Sequence, residues 1–116
     1  MKPANYGPFY AAGLYPKLAE AFREHGYALA VHGSVGTDFD LIAVPWREEN
    51  VSNPDTVMRM LFERWDFKRS DPNRLPQPEA KPHGRLAYCL HLSFGTCYLD
   101  ISFTPRAGFV SNGDAA

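Results

Sequence analysis

The stretch Val31-His32-Gly33-Ser34-Val35-Gly36-Thr37-Asp38-Phe39-Asp40-Leu41-Ile42-Ala43-Val44 decides how the chain is read. It sets a Gly-Ser turn before an apolar strand that carries two aspartates one residue apart. Side chains alternate along a strand, so Asp38 and Asp40 point to one face, with Cα atoms roughly 6.5 Å apart. Two carboxylates held side by side repel each other, and a cation relieves that repulsion. Hard divalent ions, above all Mg²⁺, take such oxygen ligands.

On the N-terminal side, Tyr27 to His32 is a short apolar run that reads as a first strand, and Thr37 to Val44 is the second, ended by Pro45. Only Val35, Gly36 and Thr37 separate Ser34 from Asp38, which predicts a tight hairpin turn between these strands. Ala11 to His25 has helical periodicity. Leu14, Leu18 and Phe22 recur every four residues, Ala21 joins the stripe, and Gly26 supplies a C-terminal stop. Met1 to Phe9, with its proline and glycine, reads as a lead-in.

On the C-terminal side, Ser52 or Asn53 caps a second helix, with Pro54 at its first position and Asp55 in its first turn. This helix is expected to run to about Asp66 and to bury Val57, Met60, Leu61 and Trp65. Ser70 to Gly84 is rich in proline and polar residues and reads as a long loop, a kind that in compact domains is usually functional or mobile. Arg85 to Ser93 and Thr96 to Phe103 are strands around a Phe94-Gly95 turn. The tail beyond Pro105 is small and polar and is expected to be disordered.

If Phe94-Gly95 is the two-residue loop of that hairpin, Ser93 faces Thr96, His91 faces Tyr98 and Cys89 faces Asp100. One face then holds Cys89, His91, Tyr98, Asp100 and Ser102. The other holds Tyr88, Leu90, Leu92, Leu99, Ile101 and Phe103, which is the core face. A carboxylate in the middle of so apolar a strand needs a reason.

These elements predict one domain, residues 1–105, of α/β (α+β) class, followed by the tail 106–116. The sheet is mixed and mostly antiparallel, with about four strands and two helices on one face. A chain of 116 residues is near the common domain size. A net charge of −1 argues against a general nucleic-acid coat, which needs a basic excess. No apolar run fits a signal peptide or approaches the roughly 20 residues of a membrane span, so a cytoplasmic location is expected. In that setting Cys89 and Cys97 are expected to be reduced core thiols.

A Gly-Ser turn, an Asp-x-Asp strand and a further aspartate on a later strand resemble the polymerase-beta-like nucleotidyltransferase superfamily. The matching positions are His32, Gly33, Ser34, Asp38, Phe39, Asp40 and Leu41, then Asp100 within Tyr98-Leu99-Asp100-Ile101-Ser102. The line through Pro45-Trp46 also resembles small bacteriophage proteins, so host cytoplasm is the corresponding location. The resemblance implies two Mg²⁺ ions held by Asp38, Asp40 and Asp100, with Asp100 also a base. It implies a nucleoside triphosphate whose phosphates meet Gly33 and Ser34, and transfer of a nucleotidyl group to a protein or small-molecule hydroxyl. Two metals clamp the attacking and leaving oxygens of such an in-line displacement.

Lys81 and Arg85, at the end of the long loop, are candidate cations for the triphosphate. His32 and His91 are candidates to hydrogen-bond the carboxylates, and with Asp40 they also offer a transition-metal site. The chain departs from the family in its short spacer after Ser34, and no second, acceptor-binding domain is expected within these 116 residues. Two alternatives follow: a catalytically inactive binding or inhibitor protein on the same fold, and a metal-dependent phosphodiesterase with water as nucleophile and His91 as base.

Overall fold

The computed structural model of the chain describes residues 5–105; the expected tail and the first four residues of the lead-in lie outside these. Helical structure begins at Gly7, four residues earlier than the periodicity predicts. A π-helical segment, Phe9–Leu14, leads into helix α1, Tyr15–Glu24. Pro16 has no N–H with which to close a regular turn on Ala12, and the wider winding falls just before it. Widening brings Tyr10 and Tyr15, five residues apart, onto the same strand residue: their ring centroids lie 4.8 and 6.3 Å from that of Phe39. Tyr10 is completely buried. Its packing overrides the poor helix propensity of Gly7, Pro8 and Gly13.

Helix α1 stops as expected at Gly26, whose φ of 92° is open to glycine and strained for other residues. Its N–H donates to Arg23 O. Helix α2 spans Pro54–Arg64. Of the two candidate caps it uses Asn53, whose side-chain oxygen accepts from Thr56 N at 2.9 Å. Val57, Met60 and Leu61 are buried as the stripe predicts, together with Met58; Trp65 ends the helix half-buried.

The strands are β1 (Tyr27–His32), β2 (Asp38–Pro45), β3 (Glu79–Lys81), β4 (Arg85–His91) and β5 (Tyr98–Phe103). They form one sheet in the order β1-β2-β5-β4-β3. All neighbours are antiparallel except β2 and β5, which run parallel. The sheet thus has five strands where the sequence predicts about four. The additional one, β3, lies inside the expected long loop. It is three residues long and pairs on one side only, so Glu79, Ala80 and Lys81 carry no alternating apolar signal.

The β4–β5 register matches the expectation: His91 pairs with Tyr98 and Cys89 with Asp100. The ladder ends there: Leu92 N still donates to Cys97 O at 3.1 Å and Leu92 also bridges to Phe67, but Ser93 N donates to Asp66 O, so the expected pairing of Ser93 with Thr96 does not form. Phe39, Leu41, Ala43, Tyr88, Leu90, Leu99, Ile101 and Phe103 form a single buried cluster with the inward residues of α1 and α2. Both helices therefore pack on one face. Alternate residues of every strand lie on the other, where Ala28, Ala30, His32, Val44, Cys89 and His91 are exposed. Cys89 is accordingly no core thiol: the register turns it outward, while Cys97 is buried, and both are free.

Candidate functional site

The strand registers arrange the open face in rows. One row holds Asp38 on β2, Tyr98 on β5 and His91 on β4. The next holds His32 on β1, Asp40 on β2, Asp100 on β5 and Cys89 on β4. Asp40 and Asp100 are direct partners on adjacent parallel strands, a spacing of about 4.8 Å between backbones. Asp38 lies one step along the same strand and face. The structure therefore gathers Asp38, Asp40 and Asp100 at one place, with His32 beside Asp40 and His91 beside Tyr98. Tyr98 and His91 rings are 5.3 Å apart, and Cys89 Sγ is 3.5 Å from His91 Nε2.

The Gly33–Ser34 turn borders this cluster. The connection from β1 to β2, residues 33–37, forms a hairpin with no helix in it, as its short spacer predicts. Gly33 has φ 71°, and a Cβ added there would sit 2.6 Å from Asp40 Oδ2. Its missing side chain lets the backbone come up against that carboxylate. Ser34 is exposed at the tip.

Tyr10 locks the other side of the turn. Its hydroxyl donates to Thr37 O at 2.6 Å and accepts from Tyr98 N at 3.2 Å, tying together the residues just before Asp38 and at the start of β5. Sequence reasoning missed this role because Tyr10 falls between the lead-in, which ends at Phe9, and the helix expected from Ala11, outside the helical stripe.

The electrostatics follow from the crowding. Burial is the largest cause raising the Asp40 pKa. The Asp38 charge, a hydrogen bond between the two carboxyls, and the Asp100 charge add to it, and His32 opposes them. Cys89 is raised by burial, then by Asp100 and Asp38. Tyr98 is raised by burial and then chiefly by Asp38, with Cys89, Asp40 and Asp100 contributing. Every shifted group on this patch thus feels the same negative field.

The donor set is all carboxylate oxygen, which suits a hard cation such as Mg²⁺ and not the nitrogen and sulfur preferences of zinc. Among the described residues no three His, Cys, Asp or Glu side chains are already arranged to hold a metal ion. Asp38, Asp40 and Asp100 are all half-buried on the uncovered face.

Lys81 and Arg85 lie on the same face but two rows beyond the Asp40–Asp100 row, opposite one another in register. Four residues of strand amount to about 13 Å. Lys81 Nζ pairs with Glu79 at 3.0 Å, and Arg85 donates to Pro82 O and to Ser102 Oγ. Trp46 is exposed, with the Arg47 guanidinium over its ring, at the end of β2 away from the carboxylates.

Comparison with protein-family models, with curated proteins and with solved structures finds no match to this chain. Among the described residues, no helix is long and apolar enough to cross a membrane.

Proposed function

We propose that the chain is a minimal nucleotidyltransferase of the polymerase-beta-like kind, transferring a nucleotidyl group from a nucleoside triphosphate to a hydroxyl. The observation that carries this reading is the parallel pairing of β2 with β5, which sets Asp100 beside Asp40 on the face that also holds Asp38. Asp38, Asp40 and Asp100 are the residues that would hold Mg²⁺. When bound, the ions supply charge neutralisation for the triphosphate and the departing pyrophosphate.

The chain's own groups do the rest. The Gly33–Ser34 backbone approaches the carboxylates closely enough to position a phosphate beside them, with Ser34 offering its N–H and hydroxyl. The acceptor oxygen forms a bond to the α-phosphorus as the bond from that phosphorus to the pyrophosphate oxygen breaks. The acceptor proton passes to the Asp100 carboxylate and then to water. Tyr10 keeps Asp38 and β5 in register through its two hydrogen bonds.

One observation favours a second reading. The hairpin after Gly33–Ser34 lacks a helix whose N-terminus would add phosphate-binding N–H groups, and this suits a protein that binds without turnover.

Incubation with each Mg-nucleoside triphosphate, with pyrophosphate release and attachment of α-phosphate label both measured, separates the readings. Label transfer lost in Asp40→Asn and Asp100→Asn supports nucleotidyl transfer. Metal-dependent binding without release supports the binding protein. Cleavage of a simple phosphodiester with no label transfer supports the phosphodiesterase.

A further inference from the structure

Beyond Cys89 and His91, on the β4 side of the carboxylates, a cleft of about 600 Å³ opens against the segment Lys68 to Gln77. Its charged lining is Lys68, Arg69 and Arg74, with Asp71 as the single acid, a net of two positive charges. The segment is built into the fold. Lys68 N donates to His91 O at 2.8 Å, and Phe67 bridges to Leu92. The Arg69 guanidinium lies 4.7 Å from the Phe62 ring centroid and donates to Pro72 O. Asp71 accepts from Asn73 N through its side chain and from Arg74 N through its carbonyl. Among the described residues the three cations form no ion pair. Unbalanced positive charge therefore stands next to unbalanced negative charge, with Cys89 and His91 between them.

We propose that this cleft is an anion subsite for a phosphate monoester. On the nucleotidyl-transfer reading, from which its role follows, it holds the phosphate of a small phosphorylated acceptor. The volume is that of a small-molecule pocket. His91 is the one ring in its lining, with no Phe, Tyr or Trp to form a stacking platform for bases, and the chain's net charge of −1 does not suit a long polyanion.

Position supplies the role. In an in-line displacement the acceptor enters opposite the departing pyrophosphate. The Gly33–Ser34 turn lies on the β1–β2 side of Asp40 and Asp100, and the cleft lies on the β4 side. Lys68 and Arg74 hold the acceptor's own phosphate, which does not react. The acceptor's hydroxyl takes the nucleotidyl group, pyrophosphate departs, and the proton goes to Asp100.

An amide-resolved NMR titration of the whole chain with glycerol phosphate, without divalent metal, tests this. The expected result is saturable shifts at 68–77 and at Cys89 to His91, none with glycerol, and weaker shifts with inorganic phosphate. Lys68→Gln with Arg74→Gln should weaken binding about tenfold or more, while Asp40→Asn keeps it. A charge-reversed pair, Lys68→Glu with Arg74→Glu, repeats the test should the first fold poorly. Shifts elsewhere, binding unchanged in both pairs, or inorganic phosphate binding as well as the ester would overturn the proposal. A parallel Mg-nucleotide titration reads the amides of Gly33 to Asp40. Failure there, with the cleft shifts intact, removes the transfer reading and leaves the anion subsite standing.

Discussion

At the residue scale, Gly33 and Asp40 set the geometry and the charge of the site. Gly33→Ala puts a side chain on backbone at a φ of 71°, where it is strained, and its methyl group turns aside the Asp40 carboxylate whose Oδ2 lies 2.6 Å away. The strain should cost about 1–3 kcal/mol, measurable by urea denaturation. Asp40 has the opposite sign. Its folded pKa is raised, so its protonated form favours the folded state fully below the ordinary carboxylate range. That contribution is lost as pH rises through the folded value, and at neutral pH the ionised carboxylate weakens the fold. Asp40→Asn should therefore stabilise the metal-free protein at neutral pH by about 0.2–1 kcal/mol, the scale of a cross-strand charge pair. The gain should fade in acid, and a gain that is equal at all pH values contradicts the assignment. Asp38 and Asp40 were legible because alternation alone puts them on one face. Their convergence with Asp100 was expected only through the family resemblance, because nothing local specifies which distant strand β2 pairs with.

At the element scale, legibility followed the strength of local signals. Helix α2 announces itself by a cap, a first-turn proline and an apolar stripe, and the β4–β5 register is the one that a turn centred on Phe94-Gly95 predicts. The start of the N-terminal helix and strand β3 were hidden. The first depends on Tyr10 packing against Phe39, and the second on three residues with no apolar pattern. The strap made by Tyr10 gives a test of its own. Tyr10→Phe keeps the ring but leaves Tyr98 N and Thr37 O without that partner, and should cost about 1–3 kcal/mol. If the strap positions the carboxylates, the variant should also bind Mg-nucleotide more weakly by more than Asn53→Ala does. That cap lies far from the site and should cost about 1 kcal/mol in stability alone.

At the scale of the whole molecule, one face of the sheet builds the core and the other stays open. The core face buries an uninterrupted apolar set. The open face gathers like charges that destabilise the fold without a ligand, an arrangement that natural proteins retain chiefly at functional sites. A divalent cation bound there should stabilise the folded state by mass action, and Asp40→Asn should abolish that gain while raising the metal-free baseline.

On the proposed function, Asp38, Asp40 and Asp100 act together as a metal-dependent nucleotide site. Calorimetric titration with a non-hydrolysable nucleoside triphosphate, with and without Mg²⁺, tests it most directly. The expected result is saturable binding that requires Mg²⁺ and is lost in both Asp40→Asn and Asp100→Asn. Binding that ignores the metal, or that survives in both folded variants, would contradict it.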